Sequence, residues 1–191
     1  MVLALMCSAV IASGPVEVTE APLVPWYVPR SASLGFFINP PGDGSGPSTT
    51  PHFRLAWEGA IVSQPRNDLI WLVSLGSGIG VAVLPSMTSH SQHVAIAGFG
   101  YRSDRPLIHW GFHVASGVAY YRATYLPGGF YKDESRVLGY IEGRLQVGVR
   151  VSGHLKLAAY FGYASPFVFS VRYPGNTFVG GFDLGLVIDW R

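Results

Sequence analysis

The chain is 191 residues long, 49% hydrophobic, 13% charged and carries a formal net charge of +2. That length suits one domain, but the composition is too apolar for an ordinary water-facing shell, and the few scattered Lys and Arg residues exclude a nucleic-acid surface. No run reaches the roughly 20 apolar residues of a membrane helix; the nearest, Leu69 to Leu84, is broken by Gly76, Gly78 and Gly80. The 24 Gly, 10 Tyr, 11 Phe and 5 Trp instead suit strands, tight turns and interfacial aromatic girdles.

Residues 1–13 read as a signal peptide: Met1 to Ala12 is apolar and ends in Val10-Ile11-Ala12, although no Lys or Arg precedes Arg30 to make a charged leader. Cys7 is the only cysteine and would leave with that segment. Leu5 and Met6 do not suit a lipoprotein signal at Cys7, and a mature chain without cysteine makes no disulfide. Residues 14–30 hold Pro15, Pro22, Pro25 and Pro29, which forbids helix and interior strand, so they read as a short periplasmic tether.

From Ser31 onward the hydropathy alternates with a period of two, the mark of strands with one apolar and one polar or small face. Strand one runs from about Ser31 to Asn39, with Ala32, Leu34, Phe36 and Ile38 on the apolar face. A long loop, Pro40 to Pro47, leads to strand two, Phe53 to Gln64, where Phe53, Leu55, Trp57 and Ile61 oppose Arg54 and Glu58. A tight turn at Gln64-Pro65-Arg66-Asn67 precedes strand three, Leu69 to Leu84, whose second face is nearly bare.

Pro85 to Ser91 is expected as a connection. In strand four, to about Tyr101, either Val94 and Ile96 or Ala95, Ala97, Phe99 and Tyr101 could face outward, and the latter set is preferred. After Ser103-Asp104-Arg105-Pro106, strand five sets Ile108, Trp110, Phe112, Val114, Val118 and Tyr120 against His109, Gly111, His113, Ala115 and Gly117. A loop through Pro127-Gly128-Gly129 leads to strand six, where Val137, Ile141, Leu145, Val147, Val149 and Val151 oppose Arg136, Tyr140, Glu142, Arg144, Gln146 and Arg150. Ser152-Gly153 reads as a two-residue hairpin turn. Strand seven, His154 to Tyr163, and a loop with Pro166, Pro174 and Gly175 bring the chain to its last strand.

There Leu184, Leu186, Ile188 and Trp190 alternate with Asp183, Gly185, Val187 and Asp189. The order polar, x, Gly, x, x, apolar, x, aromatic, carried by Asp183, Gly185, Ile188 and Trp190, resembles the C-terminal assembly signal of bacterial outer-membrane β-barrels. Arg191 departs from it, since the aromatic residue is usually last. An even count of eight strands with alternating long and short connections puts the termini and short turns at one end of the barrel. By this pattern, across nearly all of the mature chain, the protein resembles the OmpA-like and OmpX-like barrels. The resemblance implies an all-β, eight-stranded, antiparallel up-and-down transmembrane barrel over residues 31–191. Its implied partners are outer-membrane lipid, the barrel-assembly machinery and an unnamed extracellular ligand of the loops.

The polar face gathers a candidate interior network of Arg54, Glu58, His113, Glu142, Arg144, Arg150, Lys156, Asp183 and Asp189, with His109 beside it. Eight strands leave a lumen that side chains just fill, so these charges read as a packed, non-conducting core. Counting from the short turns puts Glu58, His113, Glu142, Arg144 and Asp183 near mid-barrel, and Arg150, Lys156 and Asp189 near the periplasmic end. Glu142 and Arg144, about 7 Å apart along one face, and Lys156 with Asp189 across adjacent strands, are the expected pairs.

No cofactor or metal is expected. His109 and His113 are about 13 Å apart along a strand, and His90 with His93 lacks a third ligand. Gly76, Gly78 and Gly80 do not match a nucleotide loop and instead make room for large side chains opposite. The His-x-Ser pair of eight-stranded lipid A deacylases is missing: Ser91 directly follows His90, and Ser116 stands three after His113. The expected function is therefore a structural or loop-mediated binding or adhesion role. The alternatives are an outer-membrane lipid-modifying enzyme, a narrow channel, or a soluble lipocalin-like barrel with its apolar face inside.

Overall fold

The computed structural model describes residues 28–39, 48–81, 87–128, 133–167 and 180–190. The expected signal peptide and most of the tether lie outside these residues. The eight strands are β1 (Ser31–Asn39), β2 (Ser48–Gln64), β3 (Asn67–Val81), β4 (Met87–Asp104), β5 (Ile108–Tyr125), β6 (Glu134–Arg150), β7 (Leu155–Phe167) and β8 (Gly181–Trp190). Each pairs antiparallel with the next, and β1 pairs with β8 from Ser31↔Asp189 to Ile38↔Phe182, closing the barrel. Closure leaves no sheet edge, which a strand in lipid requires because no water is present to satisfy its backbone. Backbone hydrogen bonds from Arg30 to Ala56 and from Trp190 to Arg30 carry the closure just beyond β1.

The two faces differ as the alternation dictates. Val114 is 55% exposed and Leu145 48% exposed on the outer face, among Leu34, Leu75, Phe161 and Leu186, while Arg54 and Glu142 are buried inside. This is the inverse of a soluble lipocalin-like barrel. A belt of exposed aliphatic and aromatic side chains around a closed, polar-cored barrel is what a bilayer selects. Trp57, Trp71, Tyr101, Trp110 and Trp190 ring the outer face toward the short turns, with Tyr101 and Trp110 ring centroids 5.4 Å apart. The Trp71 indole lies over Gly59, its register partner on β2, where any larger side chain would collide with it.

β4 faces as preferred: Phe99 is 65% exposed, while Val94 and Ile96 are buried in the lumen. Its start differs. Residues 87–91, expected in a connection, belong to β4, because this segment pairs with β3 and β5; Ser89 is exposed and His90 buried, so polar residues occur on both faces at the barrel mouth. β2 likewise begins at Ser48 rather than Phe53. The β6–β7 turn is four residues, 151–154, not two: the Val151 and Ser152 amides both donate to the Leu155 carbonyl, at 2.9 and 3.1 Å, and peel the turn off the ladder before Ser152-Gly153. A bulge between Ala60 and Val62 in β2 shifts that strand's register against β3 just before the Gln64–Asn67 turn.

Candidate functional site in the barrel lumen

Four charges from three strands meet at mid-barrel. Arg54 Nη1 on β2 donates to Glu142 Oε2 on β6 at 2.5 Å, and Arg144 Nη2 on β6 donates to Asp183 Oδ2 on β8 at 2.7 Å. Arg54 Nη2 also stands 3.8 Å from Asp183, and Arg144 Nη2 stands 3.8 Å from Glu142, so the cations and anions alternate around a closed ring. Glu142 and Arg144 do approach along one face as expected, but each has a shorter partner on another strand: Arg54 across the lumen for Glu142, and Asp183 for Arg144, along the same row past Gly162 of β7. All four are buried, and isolated charges there would cost several kcal/mol each; alternating signs and shared hydrogen bonds are what make the layer tolerable.

Neighbouring groups complete the layer. His52 Nε2 lies 2.7 Å from Asp183 Oδ1 and 3.4 Å from the Tyr160 hydroxyl; Tyr140 OH accepts from Arg54 at 3.3 Å; His113 stands 3.4 Å from Glu142. The Arg144 guanidinium stacks 4.1 Å from the Tyr160 ring, and Arg54 sits 5.3 Å from the ring of Phe37. Planar guanidiniums suit this setting because they hydrogen-bond in plane and stack face-on.

The inward glycines make the room these side chains use. A methyl at Gly76 would lie 2.6 Å from Arg54 Cγ, and one at Gly80 would strike the His90 ring. The Tyr160 hydroxyl likewise lies against Gly35 and Gly185.

A second charged layer lies toward the short turns. Arg102 bridges Glu58 and Asp68, both at 3.2 Å; Asp104 takes Lys156 at 2.6 Å and Arg150 at 3.2 Å; His109 faces Asp189 at 3.9 Å. Glu58, counted to mid-barrel from the sequence, thus has its salt bridge with Arg102 of this second layer, a cation it shares with Asp68. Lys156 and Asp189 are register partners as expected, while the close carboxylate of Lys156 is Asp104, whose backbone lies at the end of β4. Between the layers is a small cavity of about 20 Å³, lined by Glu58, Ser74, His113 and Gln146 among others, room for about one water.

The nine residues singled out from the sequence therefore fall into two layers. Sequence reasoning did not pair His52, Arg102, Asp68 and Asp104 with them. Arg102 was legible in principle, since facing Tyr101 outward turns Arg102 inward; His52 and Asp104 fell just beyond assigned strand ends. On the loop side, His90 turns inward to Thr50 Oγ1 at 2.7 Å, whereas His93 points outward to Ser77 Oγ at 3.0 Å. The two histidines stand on opposite faces of β4 and cannot share an ion.

No family model matches the chain, and no curated protein does. Among solved structures the chain is similar to Neisserial surface protein A, with 16% identity and a TM-score of 0.57 over 84% of this chain and 94% of that one. It is similar to the outer membrane enzyme PagL, with 13% identity and a TM-score of 0.50 over 83% and 97%. Ail, the attachment invasion locus protein of Yersinia pestis, matches with 10% identity and a TM-score of 0.48 over 83% and 91%. At such identities the likeness is one of fold: the chain has the eight-stranded, all-antiparallel barrel of small outer-membrane proteins.

Proposed function

We propose that the protein is a bacterial outer-membrane β-barrel whose lumen is a structural plug. Its contacts with other molecules are then made from the outside, by the long connections in a structural, adhesion or binding role. The observation that carries this reading is the alternating ring of Arg54, Glu142, Arg144 and Asp183, buried with Phe37, Tyr140 and Tyr160 across the middle of the lumen. A continuous water path would have to displace partnered charges, each removal costing several kcal/mol. The cavity on the short-turn side ends at this ring. Lipid surrounds the exposed belt, and the C-terminal strand with Trp190 is the segment offered to the barrel-assembly machinery.

Two measurements test the proposal. Fractionation of cells expressing the chain should place it in the outer membrane, with extraction only by detergent. In planar bilayers the purified protein should give no stable steps; reproducible, ion-selective steps would replace the plug with a narrow-channel reading.

A further inference from the structure

On the outer wall of the barrel, a hydrogen-bonded polar pair interrupts the apolar belt. Ser77 on β3 and His93 on β4 are register partners, both exposed on the outer face, with Ser77 Oγ 3.0 Å from His93 Nδ1. The next residue in that row is Tyr120 on β5, paired with His93; the two rings stack at 6.1 Å between centroids and 23° between planes. Toward the short turns the adjoining row is apolar, with Leu75, Ala95 and Val118. Toward the loops the next outward residue of β5 is Arg122, exposed and flanked by its register partners Ser91 and Ser135.

We infer that Ser77 and His93 form a nucleophile and general-base pair that hydrolyses the acyl ester of an anionic membrane lipid. The inference rests on the membrane-barrel reading above. A serine hydroxyl is a weak nucleophile until a base within hydrogen-bond reach takes its proton. With the ring proton on Nε2, Nδ1 is the acceptor for Ser77, and stacking on Tyr120 fixes the imidazole plane. The depth also fits the bond to be cut. In a bilayer, ester carbonyls lie between acyl chains and headgroups, and this row lies between Leu75, Ala95 and Val118 on one side and the Arg122 guanidinium, about 7 Å along β5, on the other. A guanidinium there recognises a lipid phosphate by charge-assisted hydrogen bonds.

The reaction balances with water alone. Ser77 Oγ attacks the ester carbonyl carbon as its proton passes to His93 Nδ1. The tetrahedral adduct collapses, the bond to the lipid alcohol breaks, and that alcohol leaves with the proton from His93. Water then attacks the acyl-serine and gives a proton to His93, the fatty acid departs, and the proton returns to Ser77 Oγ. Sequence spacing could not show the pair, because the residues belong to different strands and only the β3–β4 register brings them together.

The full chain, purified in detergent and reconstituted into phosphatidylglycerol or phosphatidylcholine vesicles, provides the test. A fluorophosphonate probe should modify Ser77, located by mass spectrometry. Ser77→Ala should abolish the adduct, His93→Gln should slow it about 100-fold or more, and Ser116→Ala, on the outer face at mid-depth, should leave it unchanged. Fatty acid should be released faster from phosphatidylglycerol than from phosphatidylcholine, and Arg122→Gln should erase that preference, chiefly through KM. Heat-modifiable migration on gels reports that each variant is folded. Folded, vesicle-bound wild type without an adduct on Ser77 would overturn the pair while leaving the barrel reading intact. An adduct without fatty-acid release from either vesicle would overturn the lipid substrate. Protein that fails to float with vesicles would overturn the membrane reading itself.

Discussion

Arg54 and Glu142 meet across the lumen at 2.5 Å although β2 and β6 share no backbone hydrogen bond. The contact couples opposite walls of the barrel, whereas every ladder couples only neighbours. Glu142→Ala leaves Arg54 buried beside one remaining carboxylate, Asp183 at 3.8 Å, and should destabilise the barrel by about 3–5 kcal/mol. Replacing both residues, as in Arg54→Met with Glu142→Leu, should recover most of that loss, since an apolar pair needs no compensation. Urea unfolding in micelles, followed by tryptophan fluorescence, reads both values; a double variant no more stable than Glu142→Ala would contradict the ion-pair account.

Adjacent residues of β6 test the facing. Leu145 is exposed in the apolar belt and Gln146 lines the inner cavity. Leu145→Arg places a cation against lipid at mid-depth, at a cost of about 2–4 kcal/mol, and should block insertion into vesicles. Gln146→Arg should insert. Equal failure of the two would show that the side of the wall does not matter, and would overturn the facing.

Trp190 ends β8 opposite Leu155 and contributes to the outer girdle. If the C-terminal strand is read by the assembly machinery, Trp190→Ala should slow appearance of folded barrel in cells more than it slows refolding into detergent. Pulse-chase with heat-modifiable migration compares the two routes. Equal slowing by both would reduce Trp190 to a packing residue.

Gly80 lies directly under the His90 ring, and no other group stands as close to a methyl placed there. Gly80→Val should therefore displace His90 from Thr50, 2.7 Å from its Nε2, and lower stability by about 1–3 kcal/mol, the usual range for overpacking. His90→Ser in the same chain should restore part of it, with a coupling energy of about 0.5–3 kcal/mol from the double-mutant cycle. Strict additivity would mean that the valine does its damage elsewhere.

The alternation of single residues determined much by itself. Val137 through Val149 against Arg136 through Arg150 already implied one lipid face and one charged face, and short turns at Pro65 and Pro106 already implied which ends lie together. Period-two hydropathy is a local property, set by each residue's side of its own strand, so it survives without tertiary information. The inward row of Gly76, Gly78 and Gly80 was legible for the same reason: absent side chains on one face demand large ones opposite.

Only the closed structure decided who meets whom. Glu142 was paired along the strand with Arg144, but closure brings β2 across from β6, and Gly162 on β7 lets Asp183 of β8 reach Arg144, so the desolvated charges take those shorter partners. Lys156 finds Asp104, a residue read as a turn, because the short-turn ends converge on one rim. Ser77 and His93 became a pair through register alone. Such contacts depend on which backbone amides align between strands, and that alignment is set by closure of the whole sheet.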